Sequence, residues 1–451
     1  RACTPDNRRR TGCVAQLKLM SSLRTIHYRL YASLLFMGLC PAVYTAVRIH
    51  FLGQMPDPWS YSIAGQLGWV NLIYEVVQEA VLPPLFFFMG QAVRDRDAFS
   101  NRVRSGLLVT ACTYTAISLA LCVTVRPLLG WMAAEPGITE ASVSYIRLES
   151  ISSIFGMLGS FTLVALVTLG REKYLYLLTV FRLILSLALD TLLISALPFS
   201  LHLGVNGIGY SNLIVNGLLF ALSLRMLARE GVRVCSGTRL SFGWMREFFK
   251  VGGISGLESF VRNAVYMLMI VRMVNVVREQ GVYWVANNFI WGWLLLPVTQ
   301  LAELIKREIA ADPASLRTRS RGYFALTGVI CAGWICSIPF WKPFMARVLG
   351  YPDTDALFRL VLLLLGFYMV YAFQNVFDAT FYALGKTNYM LFESIASNML
   401  YYGGAFALYC AGLWTPSLTG IALLFGFGLL FDGAVSLFAY LHLLKKEALR
   451  R

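Results

Sequence analysis

Long apolar runs recur along almost the whole sequence, and each one is long enough to cross a lipid bilayer as a helix, which takes about 20 residues. Twelve such spans can be placed, at 28–52, 60–90, 103–129, 143–169, 174–197, 204–228, 248–277, 281–305, 322–344, 355–384, 390–413 and 417–441. Hydrophobic residues make up 57% of the 451, more than a soluble core of this size can bury. The sequence therefore predicts an all-α integral membrane protein with twelve transmembrane helices.

Basic residues are concentrated in alternate connections between these spans. Four arginines follow span 2, and further Arg and Lys residues follow spans 4, 6, 8 and 10, whereas the other connections carry few. Because cytoplasmic loops are enriched in Lys and Arg, this alternation places both termini in the cytoplasm and requires an even number of spans. The net charge of +15 is thus a topology signal and does not predict nucleic-acid binding. We expect a monomeric multi-pass protein of the plasma (cytoplasmic) membrane, with the lipid bilayer as a partner.

The second half of the chain repeats features of the first. At an offset of 222 residues, aromatic and amide residues recur in matching pairs: Tyr44 and Tyr266, Trp69 and Trp291, Gln78 and Gln300. Later the offset becomes 215, where Leu-Gly-Arg at 169–171 matches Leu-Gly-Lys at 384–386. Chance identity among apolar spans is the alternative explanation. A duplication predicts two six-helix bundles related by a pseudo-two-fold axis along the membrane normal, with a cleft between them.

This duplication suggests a simple division of the chain. The N-lobe with spans 1–6 is predicted at 20–228 and the C-lobe with spans 7–12 at 248–444, joined by a cytoplasmic linker at 229–247. Residues 1–19 are interpreted as a disordered or vector-derived tail, because no apolar segment directly follows their arginines. Residues 445–451 are predicted to form a basic cytoplasmic tail.

Sequence signals for an enzyme are absent. The nine cysteines are scattered without a Cys-x-x-Cys pair, and the four histidines lie on different segments, so neither a disulfide framework nor a metal site is predicted. We recognise no nucleophile–base pair and no phosphate-binding loop. The chain is therefore expected to have no catalytic residues and no cofactor.

Several short stretches carry a more specific signal. They are the turns at 166–178 and 381–392, an aspartate-bearing segment at 187–194, a glycine-rich helix start at 203–217, and the start of span 7 at 251–268. In order and topology, over nearly the whole chain, they resemble the multidrug and toxic-compound extrusion (MATE) transporters of the flippase superfamily. The resemblance implies a V-shaped two-lobe carrier that exports amphipathic organic cations, driven by inward flow of sodium or protons.

One position departs from the pattern of that family. A family aspartate that helps to bind the coupling cation stands five residues before the glycine closing span 1, and counting back from Gly53 gives Arg48. The resemblance still assigns Asp190 of span 5 to the cation-coupling site. It also places Ser186 one turn earlier, where an asparagine is often found, and Asn212 near a span-6 hydroxyl position.

Arg48 therefore needs an explanation, because a charge at the centre of a membrane helix costs at least ~2.5–3.5 kcal/mol. At ~1.5 Å per residue, the predicted depths of Arg48 and Asp190 differ by about 4–5 Å, which an arginine side chain can span. We expect the two to pair, with Arg48 as a tethered cation in place of sodium, since arginine keeps its charge at physiological pH. Alternatively, Arg48 extends to the outer headgroups and Asp190 is a buried neutral carboxyl.

A second group of polar residues lies near the middle of spans 2, 7 and 8. The family architecture places spans 1 and 2 opposite spans 7 and 8, so this group would line the cleft as candidate substrate-binding residues: Glu75, Glu79, Glu258, Arg262, Gln78 and Gln300. The carboxylates could bind a cationic substrate or form a proton-linked latch between the lobes. Alternatively, they form a structural ion-pair network within one bundle.

Four other acidic residues are expected to have simpler roles. Glu303, Asp378 and Glu393 lie towards the cytoplasmic ends of their spans, where solvated interfacial positions are the usual interpretation. Asp432 lies deeper, among glycines of span 12, which favours close helix packing or a hydrogen bond.

These observations favour a secondary active transporter that exports small organic cations by alternating access, in antiport with sodium or protons. Three alternatives stay open at this point. They are a lipid-linked saccharide flippase of the same superfamily, whose cleft would be rich in arginine, a carrier-derived protein that no longer couples or transports, and an integral-membrane enzyme.

Overall fold

The computed structural model describes residues 22–171, 173–232, 234, 239–312 and 315–449. The predicted tail at 1–19 lies outside the described residues, as do part of the linker and the last two residues. Within the described ranges the chain is almost entirely helical and contains no β-strand. The boundaries proposed for the two lobes stay predictions.

Twelve helical segments in these ranges follow the predicted spans and are numbered to match them. They are α1 (Tyr28–Gly53), α2 (Ser60–Ala92), α3 (Arg96–Trp131), α4 (Thr139–Thr168), α5 (Lys173–Ile194), α6 (Asn206–Arg229), α7 (Met245–Val276), α8 (Gln280–Leu294 and Leu296–Ala311), α9 (Ser315–Arg347), α10 (Thr354–Ala383), α11 (387–410) and α12 (Leu418–Leu449).

Most of these helices are apolar enough to cross a membrane. By length and composition ten qualify within the described ranges, and the two arms of α8, bent by 50°, make an eleventh. The segment α11 is helical throughout but is interrupted by a π-helical stretch, Ala396–Tyr402. A twelve-span arrangement is consistent with this count, and the all-α membrane fold is confirmed.

The contacts among helices repeat from one half of the chain to the other. In the first half α4 packs against α2, α3 and α6, and in the second half α10 packs against α8, α9 and α12. Each contact in one set matches the contact six helices further along, as a duplicated bundle requires. The halves meet where α2 packs against α7 and α8, and where α1 packs against α8.

Loops that should share one side of the membrane do lie together. Glu135 between α3 and α4 pairs with Arg278 between α7 and α8, at 2.8 Å from Oε2 to Nε. At the opposite end, Arg171 after α4 pairs with Glu230 after α6, at 2.9 Å from Nε to Oε2. These contacts fit the predicted alternation, so we call the two ends the predicted outer and inner ends. Which end faces the cytoplasm stays a prediction.

Helix α1 contacts both halves of the molecule. Its beginning, with Tyr31 and Leu34, belongs to an apolar cluster formed with α8, α9 and α10, and the Tyr31 hydroxyl donates to the carbonyl of Pro297 at 2.8 Å. Further along, α1 packs against α5. Pro41 lies between these two regions and removes one backbone hydrogen bond from α1. Although α1 opens the first half, its inner portion therefore packs against the second.

Candidate functional site

Arg48 and Asp190 form a bidentate ion pair between α1 and α5. The Arg48 Nε lies 2.8 Å from Asp190 Oδ2, and its Nη2 lies 3.1 Å from Oδ1. Arg48 is 9% exposed and Asp190 is fully buried. The predicted pair is confirmed, and the alternative, in which Arg48 reaches the headgroups while Asp190 stays unpaired, is wrong. Fork-like pairing satisfies both carboxylate oxygens, which is the geometry that makes a buried ion pair tolerable.

The pair continues into a network that includes Asn212 of α6 and Glu149 of α4. Asn212 Oδ1 accepts a hydrogen bond from Arg48 Nη2 at 3.0 Å, and its Nδ2 donates to Glu149 Oε1 at 2.7 Å. Four helices thus contribute one residue each. Ser186 is buried one turn before Asp190 but makes no hydrogen bond with the other members in the described structure. The structure therefore brings Arg48, Asp190 and Asn212 together, and the functional role assigned to them stays a prediction.

Glu149 is the member of this network that the sequence analysis did not identify. It is 5% exposed near the middle of α4, and buried Tyr145 lies beside it. A carboxyl group in an apolar span was itself the available signal, because such a group needs a partner or a function. Asp190 has the guanidinium as its partner, whereas the hydrogen bond to Glu149 comes from an uncharged amide. Glu149 is therefore the carboxyl group of this network that is not paired with the guanidinium.

A second polar group joins α2 to α7, across the two halves of the chain. Arg262 Nη1 lies 3.2 Å from Glu75 Oε1, and its Nε lies 3.4 Å from Glu258 Oε1 one turn earlier on α7. Glu79 lies within electrostatic range of the same guanidinium. The predicted cross-lobe pair is therefore present, and a network confined to one bundle is excluded. We call Glu75, Glu79, Glu258 and Arg262 the acidic set.

The acidic set is partly open and carries excess negative charge. Between 28% and 45% of the side-chain surface of Glu75, Glu258 and Arg262 is exposed. When all members are ionised, three carboxylates and one guanidinium leave a net charge of −2. Partly exposed ion pairs contribute only about 0–1 kcal/mol to stability. The arrangement is therefore better suited to attract a positively charged group than to hold the helices together.

The two glutamines predicted to bind substrate lie apart from each other. Gln78 is exposed on α2. Gln300 lies on the second arm of α8, next to Gly38 of α1, and lines a cavity between these helices. Neither side chain is hydrogen-bonded to the acidic set in the described part of the chain. The internal repeat therefore relates the two positions in sequence without bringing them into one site.

Three carboxyl groups of the second half form a hydrogen-bonded network between α10, α11 and α12. Gln374 Nε2 donates to Glu393 Oε1 and to Asp432 Oδ2, each at 2.7 Å. The Ser436 hydroxyl lies 2.7 Å from both Asp378 Oδ1 and Glu393 Oε2. A hydroxyl has one hydrogen to donate, so the second of these contacts requires a proton on a carboxyl group. This network can therefore hold a proton.

The network corrects one expectation and supports another. Glu393 is only 5% exposed, so the prediction that it is a solvated interfacial residue is wrong. Its position within span 11 suggested an interface, but α10 and α12 cover it. Glu303 is partly exposed and pairs with Lys306 one turn later, which fits an interfacial position. Asp432 makes the hydrogen bond that was expected for it.

No protein-family model matches the sequence, and no curated protein matches it significantly. Solved structures do match its fold. An inward-facing multidrug resistance MATE family transporter of the MOP superfamily is similar over 93% of this chain and 98% of its own, with TM-score 0.74 and 17% identity. The Vibrio cholerae MATE transporter VcmN in its bent form is similar over 96% and 99%, with TM-score 0.66 and 15% identity.

A third similar structure is a MOP superfamily transporter from Pyrococcus furiosus, described as having a binding pocket of reverse polarity that suggests a different function. It covers 96% of this chain and 98% of its own, with TM-score 0.64 and 15% identity. In each case the likeness extends over nearly the full length of both chains. This protein therefore has the fold of the MATE family transporters of the MOP superfamily.

Proposed function

We propose that this protein is a secondary active transporter that exports amphipathic organic cations by alternating access. The acidic set between α2 and α7 is the observation that carries the proposal. Its excess negative charge lies where the two halves meet, which is where carriers built from repeats bind their substrates. A surface recess with one sign of charge concentrates ligands of the opposite sign. An organic cation can replace Arg262 beside Glu75 and Glu258 without leaving a carboxylate unpaired.

Contacts at the predicted outer end support a cleft that is closed on that side. Gln280 Nε2 of α8 donates to the carbonyl of Gly65 in α2 at 2.9 Å, and Asn275 of α7 is hydrogen-bonded to Gln66 at 3.0 Å. Both contacts join the two halves. They must break when the cleft opens outward, so they belong to one of the two states that alternating access requires.

We infer that Arg48 acts as a tethered cation in the network of Asp190, Asn212 and Glu149. With the guanidinium on both oxygens of Asp190, a sodium ion has no free oxygen of that carboxylate to bind, and the nearby positive charge of Arg48 opposes sodium binding at Glu149. An arginine does not lose its proton at physiological pH, so the pair cannot exchange its charge as a mobile ion would. Glu149 is the carboxyl group left to exchange a proton, and we propose proton antiport rather than sodium antiport.

Transport of a fluorescent organic cation in proteoliposomes tests this function, with sodium and proton gradients imposed separately. We expect movement of the cation that is driven by the proton gradient and insensitive to the sodium gradient. Protein-free liposomes and the Glu75→Gln variant serve as controls. Absence of any protein-dependent cation movement would contradict the transport function, whereas movement driven by sodium alone would contradict only the role of Arg48.

The flippase for a lipid-linked saccharide is the weaker candidate. A flippase cleft would be rich in arginine, and Arg48 and Arg262 are the two arginines that favour it. Each of these guanidinium groups is occupied by a carboxylate, at 2.8 Å and 3.2 Å respectively. An anionic substrate would have to displace that carboxylate, so the charge of both networks favours a cation.

A further inference from the structure

A cavity of about 360 Å³ lies between α1 and α8, and no member of the ion-pair networks is among the residues that line it. On α1 its wall is formed by residues three or four positions apart, from Gly38 through Ala42 and Thr45 to Ile49. On α8 the wall runs from Asn288 to Gln300, on both sides of its bend, and Leu349 after α9 completes the lining. The cavity is therefore a feature of the contact between the two halves of the chain.

Two close contacts of α1 flank this cavity. At Gly38 an added Cβ would lie 2.5 Å from Leu296 Cδ1, and at Gly53 it would lie 2.5 Å from the carbonyl oxygen of Gly350. Between these levels the contact is looser, since an added Cβ on Gly292 would meet only Ala42, at 4.0 Å. We call the space between the two close contacts the chamber.

The shape of α8 explains why its contact with α1 is looser beside the cavity. Residues Ile290–Leu294 form a π-helical turn, and the next arm begins at Leu296 with a bend of 50°. Proline at position 297 suits the first turn of the second arm, because its missing N–H would have no helical partner there. π-helical turns are frequent at functional sites, and membrane carriers often bind ligands at broken helices.

The lining is uncharged but includes polar groups that lack protein partners. No Asp, Glu, Lys or Arg is among the residues that line the cavity. In the described part of the chain, neither the Thr45 hydroxyl nor the Gln300 amide has a hydrogen-bond partner, and both side chains are only partly buried. Trp291 also lines the cavity and is 40% exposed, although its ring packs edge-to-face against Tyr368 and Tyr371 of α10.

We propose that this chamber binds an uncharged aromatic molecule that carries a hydrogen-bonding group, such as a phenol. Trp291 supplies a surface for the aromatic ring, and Thr45 and Gln300 supply the hydrogen bonds. The volume lies at the small end of the range for small-molecule sites, about 300–1,000 Å³. A charged ligand would find no counter-ion in this lining, so the site differs in chemistry from the acidic set. The inference goes beyond cation export and concerns binding alone.

Photolabelling of the purified protein in nanodiscs tests this inference. The probe is a trifluoromethyl-diazirinyl phenol, and adducts are located by peptide mass spectrometry. We expect adducts within 38–49 and 288–300. In Gly292→Leu the added side chain fills the chamber, and labelling there should fall about tenfold. Gly366→Leu is the matched control, because it adds the same side chain on α10 where nothing lies within 4 Å.

Ala42→Leu fills the same chamber from the opposite wall and replaces the first variant if that one does not fold. Labelling that is spread over all membrane-exposed helices, or that is unchanged in a folded filling variant, would overturn the proposal.

A separate measurement tests the proposed hydrogen bond between Gln300 and the ligand. Gln300→Leu should weaken competition by phenol about fivefold and leave competition by benzene unchanged, because only phenol can use the amide. Equal effects on both competitors would leave the chamber as an apolar pocket and contradict the chemical class proposed. Cation transport by the same preparation is measured separately. Labelling without transport would contradict the proposed function only, and transport without labelling would contradict this inference only.

Discussion

At the scale of single residues, Arg48 decides what its surroundings can do. A carboxylate at this position would leave the network with only negative charges and would require a mobile cation. The guanidinium removes that requirement, because it supplies the positive charge covalently. The same reasoning is why we propose Glu149 as the group that exchanges a proton, since Asn212, which donates a hydrogen bond to it, is uncharged.

Replacing Arg48 with alanine should destabilise the protein strongly. Asp190 would be left as a buried unpaired charge, which typically costs about 3–5 kcal/mol. Arg126→Ala is the matched control, because Arg126 pairs with Glu140 at the surface, where both side chains are more than 60% exposed and a pair is worth about 1 kcal/mol at most. Thermal unfolding in detergent compares the two. The double variant Arg48→Ala/Asp190→Asn should recover most of the loss, and equal melting temperatures for both single variants would contradict the prediction.

Replacing Arg48 with aspartate should give the protein a dependence on a mobile cation. Two adjacent carboxylates repel each other unless a cation or a proton neutralises them, so sodium should raise the melting temperature of this variant only. Transport should become sensitive to the sodium gradient or more sensitive to the proton gradient. Unaltered ion dependence in Arg48→Asp would show that Arg48 does not act as a tethered cation. Potassium at equal ionic strength controls for general salt effects.

At the scale of helices, α2 and α7 pack directly against each other, and the acidic set lies along the same contact. Their backbones approach closely at Gly252, where an added Cβ would lie 2.1 Å from the carbonyl oxygen of Ala80. Further along the same seam, Asn263 Nδ2 donates to the carbonyl of Leu72 at 3.2 Å. Packing and hydrogen bonds therefore position the two helices, and the acidic set can change partners without separating them.

Exchanging the charges of Glu75 on α2 and Arg262 on α7 should distinguish a specific ion pair from a general electrostatic effect on transport. Glu75→Arg and Arg262→Glu should each reduce cation transport, because each places like charges together. The double variant should recover part of the activity, since the pair is restored in reverse, although Glu258 then faces a carboxylate at residue 262 one turn away. A pair of this exposure predicts coupling of about 0.2–1 kcal/mol, or up to about fivefold in rate. Double-variant transport no better than that of either single variant would contradict the cross-helix pair.

At the scale of the whole molecule, two halves meet along a seam that is closed at the predicted outer end. Alternating access requires this end to open, so holding it shut should stop transport. Tyr61 of α2 and Gly281 of α8 offer a suitable position, because an added Cβ at residue 281 would lie 3.3 Å from Tyr61 Cβ. Disulfides join Cβ atoms about 3.5–4.5 Å apart, so a small adjustment suffices.

The double variant Tyr61→Cys/Gly281→Cys, in a background without other cysteines, should lose transport after mild oxidation and regain it after reduction. Each single cysteine variant controls for the substitution itself. Crosslinked protein that transports at the uncrosslinked rate would contradict the requirement for opening at this end.

Much of the architecture follows from the sequence. The order of the apolar helices, the alternation of the loops and the contact between Arg48 and Asp190 could be predicted, because each depends on distance along the sequence and on charge. The twelve-span count is consistent with the structure. The cost of an isolated charge in the membrane favoured pairing of Arg48 with Asp190, whereas its bidentate geometry appears only in the structure. The interfacial interpretation of Glu393 was wrong because hydropathy gives the depth of a residue and not its direction around the helix.

The sequence by itself determined that this chain forms membrane helices in a repeated pattern, because a backbone in a bilayer must satisfy its hydrogen bonds internally. Only the tertiary structure decided which sides of those helices face each other. Rotation and tilt depend on packing between neighbours, and spans that are apolar all round do not specify them. Four features therefore appear only once the helices are assembled. They are the place of Glu149 in its network, the hydrogen bonds around Gln374, the contacts of α1 with both halves of the chain, and the chamber beside Trp291.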